Sequence, residues 1–255
     1  MTQRIRGVLF DMDDTLIDWS EYHQGGDWRA TERPHLRKLY DFVQDQHGKL
    51  NASFDTFANY YNGRVRDAWS DARTSLRAPH LGLVVMDCLA HFGYRGRLSM
   101  DDCLRAYEWG AIERVRPFDD TIPTLRKLTA RGIALGIVTN AYQPMWMRDF
   151  ELRHYGLLDY FPNPRARISA ADAGYLKPHS AIFERALQAL GLPPEEVIFV
   201  GDNPVADIAG AQHAGMRAVW RQLPNAILAN PIIVPDATIN SLQDLIGIIE
   251  AWEAA

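Results

Sequence analysis

The chain has 255 residues, long for one compact unit and short for two full-sized ones, so a single domain carrying a large insertion is the expected plan. With 47% apolar and 23% charged residues, the composition excludes disordered and collagen-like classes. A net charge of −5, from 27 basic against 32 acidic side chains, argues against general nucleic-acid affinity, because phosphate neutralisation needs a basic footprint, and leaves room only for localised basic patches. Cys88 and Cys103 show no zinc spacing and no disulfide framework, and read as buried or half-buried thiols. The first residues form neither a secretory leader nor a spanning helix, so a cytoplasmic protein with no membrane contact is expected.

In chain order, Gly7-Val8-Leu9-Phe10 is a brief apolar run that ends in Asp11-Met12-Asp13-Asp14-Thr15, the pattern of a buried parallel strand opening into a polar loop. Residues 17–116 then contain no convincing strand. They carry helical patterns over Pro34–His47, Phe54–Arg73, Leu83–Phe92 and Met100–Val115, with Leu16–Ser20 and Val115–Pro117 as candidate hinges. Further strands are predicted at Ile133–Thr139, Ala166–Ser169, Val197–Val200 and Arg217–Trp220. Helices between them are predicted over Asp119–Ala130, Met145–Tyr155, Ser180–Leu190 and Val205–Ala214. Gly132, Gly156, Gly191 and Gly215 follow the helices, where a left-handed residue is favoured. The alternation predicts an α/β fold: a Rossmann-like, doubly wound parallel sheet from residues 1–16 and 117–255, with an all-helical cap inserted at 17–116.

In an open parallel sheet, reactive groups gather at the carboxyl ends of the strands. Those positions hold Asp11, Asp13, Asp14 and Thr15; then Thr139-Asn140; then Lys177-Pro178; then Gly201-Asp202-Asn203 with Asp207. Asp11 and Asp13, two apart in extended chain, project to one side, so one can act as nucleophile while the other handles a proton. Crowded carboxylates call for a hard divalent cation such as Mg²⁺, held by Asp11 and Asp202 with a backbone carbonyl and water. Lys177 and the Thr139 hydroxyl are suited to a phosphoryl group's oxygens. Singly, each motif has an ordinary explanation: a solvated turn for the first acids, a helix-capping turn for Thr139-Asn140, a surface lysine before a helix-starting proline, a turn for Gly201-Asp202-Asn203 and a first-turn acid answering the helix dipole for Asp207. Their order at successive strand ends has none.

These motifs resemble those of the haloacid dehalogenase-like hydrolase superfamily: Val8–Leu16 its first motif, Ile137–Asn140 its second, Tyr175–Pro178 its third and Val200–Ala211 its fourth. Gly156–Phe161 is similar to a stretch common before the third. The resemblance implies that Asp11 attacks phosphorus to give an aspartyl-phosphate, and that Asp13 protonates the leaving oxygen and then activates water. It implies that Thr139, Asn140 and Lys177 bind the substrate's phosphoryl group, that Asp11, the carbonyl of Asp13 and Asp202 hold Mg²⁺, and that Asp207 orients the metal's surroundings or Lys177. Residues 17–116 match the family's cap between the first and second motifs. Asp14 stands where Gly is often seen, and the loop from Phe161 to Ala173, with two prolines and several arginines, is less typical.

Dehalogenase members lack an acid two residues after the nucleophile, since halide leaves without a proton, so Asp13 favours phosphate-ester hydrolysis. Phosphonatase members use a cap lysine; here Lys38 and Lys49 sit in no apolar pocket pattern. A sugar phosphomutase shares the core motifs and stays open, and a non-catalytic, receiver-like regulatory module is the alternative of a different class, although receivers lack the cap. The expected partner is a small phosphorylated metabolite, the protein being a monomer or homodimer. Trp19, Tyr22, His23, Trp28 and Arg29 follow the first hinge and either enter the site or pack within the cap. Arg64, Arg66, Arg73 and Arg77 read as a solvated helix face with Asp67 and Asp71; Tyr60, Tyr61, Trp69 and Phe92 read as cap core. His47, His80, His91 and His154 show no metal spacing.

Overall fold

A computed structural model describes residues 4–46, 48–224, 226 and 232–254. His47, the last residue of one predicted helix, lies outside them. The chain begins with β1 (Gly7–Phe10) and β2 (Ile17–Asp18), then runs through five helices, α1 (Ser20–His23), α2 (Trp28–Gln46), α3 (Phe54–Ser75), α4 (Leu81–His91) and α5 (Met100–Tyr107). It returns through β3 (Arg116–Pro117) to α6 (Thr121–Ala130), β4 (Ala134–Thr139), α7 (Met145–His154), β5 (Arg167–Ser169), α8 (Ala170–Ala173) and α9 (Ser180–Leu190). The last part holds β6 (Val197–Gly201), α10 (Gly210–His213), β7 (Arg217–Arg221), β8 (Ala237–Ile239) and α11 (Asp244–Ala254).

Six strands form one parallel sheet in the order β5-β4-β1-β6-β7-β8. Strand alternation sends side chains to both faces, and both are buried, which is why the strands read as unbroken apolar runs. Val8, Phe10, Ile137, Ile198 and Val200 share a core with Leu125 and Leu128 of α6 and Leu245 and Ile249 of α11. Leu9, Val138, Val197 and Phe199 point the other way, into Ile182, Phe183 and Ala186 of α9. Strand order reverses on either side of β1, so the carboxyl ends of β1, β4 and β6 frame the crevice where such sheets bind ligands.

Helices α2 to α5 pack on one another around Leu36, Leu39, Phe57, Tyr61, Val85, Leu89 and Tyr107, all buried. The two candidate hinges pair with each other: Ile17 lies opposite Pro117 and Asp18 opposite Arg116 in an antiparallel ladder. Helix α2 starts upstream of its expected beginning and takes Pro34 inside it; Pro34 is exposed, so its ring bulges toward solvent, while Asp27 supplies the first-turn acceptor for Thr31 N–H. Helix α5 stops at Tyr107, where Glu108 turns left-handed at φ 52°. The helix expected over Val205–Ala214 divides into a wide π-type turn, Pro204–Ala209, and α10; in that turn the N–H of Ile208 reaches back five residues to Asn203.

No helix among the described residues is long and apolar enough to cross a membrane. Cys88 and Cys103 are buried and unbridged, and burial pushes their thiols up to about 12 and about 11.

Candidate active site

The loop after β1 places Asp11 at the middle of the sheet, its N–H bound to the carbonyl of Val200 on β6. Its carboxylate accepts a hydrogen bond from Lys177 Nζ at 2.6 Å, and the same ammonium pairs with Asp207 Oδ1 at 2.7 Å. Burial works against a charged Lys177, but Asp11 and Asp207 outweigh it and hold the ammonium above its ordinary range. Asn140 fixes the loop that carries Lys177: its side chain accepts from the Lys177 N–H at 2.7 Å and donates to the Lys177 carbonyl at 3.1 Å. The predicted substrate-contacting Asn140 thus has its amide engaged in joining the second and third motif loops. A cavity of about 140 Å³ is lined by Asp11, Asp13, Thr139, Asn140, Lys177, Asp202 and Asp207, so the expected set lies in one place.

The carboxylates of Asp11, Asp202 and Asp207 offer oxygens within 4.8 Å of one another. Burial lifts the Asp11 carboxyl well above its usual range, opposed by Lys177 and reinforced by the neighbouring acids. Burial likewise raises Asp202 to about 7, with Asp207 and Asp14 adding to it. An all-oxygen donor set with more negative charge than Lys177 offsets suits a hard divalent cation. Asp207 joins this carboxylate group, whereas the Asp13 carboxylate faces elsewhere. Gly201 is required at the end of β6, because a Cβ there would collide with the Asp207 carboxylate, whose Oδ2 accepts the Asn203 N–H at 2.9 Å. Trp220 on β7 donates to the Asp202 carbonyl at 2.7 Å and steadies the same loop.

Asp13 is held from three sides. Arg148 Nη2 donates to its Oδ1 at 2.6 Å, Trp19 Nε1 donates to the same oxygen at 2.9 Å, and the Thr139 hydroxyl donates to Oδ2 at 3.3 Å. Arg148 is buried on α7 and also pairs with Glu151 at 2.8 Å, whose carboxylate accepts from Trp109 Nε1. Burial opposes the Arg148 charge, but Asp13 and Glu151 keep the guanidinium above its ordinary range. Burial raises Glu151 to about 7. Asp14 takes a left-handed φ of 57°, which accounts for the glycine often seen there; an acid is among the residues that tolerate that region. Its carboxylate accepts from the Trp19 N–H at 3.2 Å and lies 3.0 Å from His23 Nε2.

Sequence reasoning did not single out Arg148, Gln143 or Arg221. Arg221, buried at the end of β7, donates to the Thr15 carbonyl at 2.9 Å and to Asp120 at 3.0 Å, bracing the first motif from behind. Of the five residues after the first hinge, Trp19, His23 and Trp28 line a cavity of about 260 Å³ that also touches Asp13, while Arg29 borders a separate one beside Glu32. Tyr61 and Phe92 are buried as expected; Trp69 borders the cavity near Asp13 instead. Arg64 and Arg66 pair with Asp87 and Asp67 on an exposed face. His80 caps α4 and His91 stacks on Tyr60.

The haloacid dehalogenase-like hydrolase profile matches residues 5–215. The chain is 28% identical over 247 residues to the glyceraldehyde 3-phosphate phosphatase of Methanocaldococcus jannaschii, covering 96% of this chain and 97% of that one. It is 31% identical to the protein of the same name from Methanopyrus kandleri, covering 96% and 97%. Among solved structures, the 2-haloacid dehalogenase of Pseudomonas syringae superposes with a TM-score of 0.63 at 26% identity, over 97% of this chain and 99% of that one. Four motifs converging on one crevice and a profile match over most of the length agree: the chain belongs to the haloacid dehalogenase-like hydrolases.

Proposed function

We propose that the protein is a Mg²⁺-dependent phosphatase that removes phosphate from a small phosphorylated metabolite through an aspartyl-phosphate on Asp11. The observation that carries this reading is Asp13, a carboxyl beside the nucleophile with Thr139, Arg148 and Trp19 around it. A halide leaving group needs no such acid, and two relatives carry the name of a phosphatase.

An oxygen of the Asp11 carboxylate attacks phosphorus, the bond from phosphorus to the ester oxygen breaks, and that oxygen takes a proton from Asp13. Water then attacks the aspartyl-phosphate with Asp13 accepting its proton; the bond to Asp11 breaks and inorganic phosphate is released. Lys177 and the Thr139 hydroxyl hold equatorial oxygens. Bound Mg²⁺ would neutralise charge on the transferring group, held by Asp11, Asp202 and the carbonyl of Asp13, with Asp207 keeping Lys177 and the loop in place. The helices of residues 17–116 serve as the cap, and their cavity face receives the leaving group.

Purified protein is expected to release phosphate from acetyl phosphate and from an aryl phosphate when Mg²⁺ is supplied, and Asp11→Asn to abolish release. Wild-type turnover in Asp11→Asn overturns the assignment.

A further inference from the structure

Beside the crevice, on the Asp13 side, lies the second cavity of about 260 Å³. Two ring pairs border it: Trp19 with Trp28, centroids 6.2 Å apart, and Trp69 with Tyr142, 6.1 Å apart. Most of its polar groups are already engaged, Arg148 with Asp13 and His23 with Asp14. Gln143 differs. It lines the cavity, is 2% exposed, and its Nε2 has no hydrogen-bond partner among the described residues.

A buried amide left unpaired beside a cavity of aromatic rings is a donor awaiting an acceptor. Indole and phenol faces reward a flat, apolar body more than a polyhydroxylated one. The volume, just under the range for drug-sized ligand pockets, suits one ring and a short arm. The compartment touches Asp13, which under the phosphatase reading protonates the leaving oxygen, so a group bonded to that oxygen reaches into it.

We propose that this compartment binds the leaving group, and that the substrate class is a phosphomonoester of an alcohol carrying a single planar ring with a hydrogen-bond acceptor, the ring against the aromatic lining and the acceptor on Gln143. This rests on the phosphatase reading and narrows it.

The test compares benzyl phosphate, pyridin-3-ylmethyl phosphate and glycerol 3-phosphate, which all leave as primary alcohols, so that leaving-group basicity does not decide the outcome. Wild type is expected to favour benzyl phosphate over glycerol 3-phosphate by about tenfold or more in kcat/KM, the discrimination expected of one or two stacked rings. Trp69→Ala erases that preference, the larger loss falling on kcat/KM for benzyl phosphate, and Trp69→Phe restores it. Gln143→Leu removes the added preference for the pyridyl ester over the benzyl ester. Equal or better turnover of glycerol 3-phosphate by wild type, or an equal loss on both esters in Trp69→Ala, overturns the proposal.

Should no ester be hydrolysed, the phosphatase reading fails separately, and binding then decides. Tighter binding of benzylphosphonate than of 2,3-dihydroxypropylphosphonate, followed by tryptophan fluorescence and lost in Trp69→Ala, upholds the compartment's ring preference; equal binding refutes it.

Discussion

Arg148 donates to Asp13 across 2.6 Å from a position 135 residues further along the chain, and the same guanidinium lies 2.8 Å from the buried Glu151. Removing the arginine leaves Glu151 without its partner in a dry site, and breaking a buried pair from one side costs about 3–5 kcal/mol. Arg148→Met is therefore expected to lower stability by that amount and to lower kcat by at least about tenfold for an alkyl phosphate, because Asp13 loses its strongest anchor. The double variant Arg148→Met/Glu151→Met should recover most of the stability in denaturant titration without recovering kcat. Recovery of both would show that Arg148 acts on the fold alone.

Glu32 on α2 offers a pH signature. Its carboxylate accepts hydrogen bonds from the hydroxyls of Tyr61, Tyr107 and Tyr142, yet burial raises it to about 7 against a usual 4.5. The folded state binds this proton more tightly than the unfolded chain does, so Glu32 subtracts stability as pH climbs from about 4.5 to about 7, to a total near 3 kcal/mol, and the loss is constant above that. The stability difference between Glu32→Gln and wild type should shift in favour of the variant by most of that amount between pH 5 and pH 8, read from urea midpoints at each pH. A pH-independent difference would contradict it. Glu151, also raised to about 7, titrates equally in both proteins and cancels from the comparison.

The acid triad gives a metal-linked outcome. Asp11, Asp202 and Asp207 crowd within 4.8 Å around a single ammonium. Thermal unfolding of wild type is expected to rise by several degrees on adding millimolar Mg²⁺, since a ligand that binds only the folded state stabilises it. Asp202→Asn should melt higher than wild type without metal, being relieved of like-charge repulsion, and should not respond to Mg²⁺. An unchanged response in the variant would remove Asp202 from the metal's donors.

Asn140 predicts a positioning defect. Its side chain makes both of its hydrogen bonds to the backbone of Lys177, at 2.7 and 3.1 Å. Asn140→Ala frees that loop, so KM for the phosphate ester should rise and kcat fall, together about tenfold to a hundredfold in kcat/KM. Stability should drop by only about 1–3 kcal/mol, the range for losing a partner to a part-buried polar group.

The strand-end acids, Thr139 and Lys177 were legible because a parallel sheet assigns every strand the same reactive end, and polar residues there gain nothing from packing. Arg148 was not, although Arg148 and Glu151 stand three apart on α7 beside the buried Met145 and Leu152. That spacing marks one helix face, but a charged pair on it reads as solvated until the partner at position 13 is known. Trp19 was visible as an aromatic after a hinge and its bond to Asp13 was not, since that depends on the left-handed turn at Asp14. Strand β8 and helix α11 carry no motif and were not read at all.

The ladder between Ile17–Asp18 and Arg116–Pro117 means that both covalent routes from the sheet to the helices of residues 17–116 cross the boundary side by side. Two tethers bonded to each other hold the entry and the exit of that segment at one place beside the sheet. Trp19 is the next residue beyond that ladder, so its indole reaches Asp13 from a point that both tethers fix.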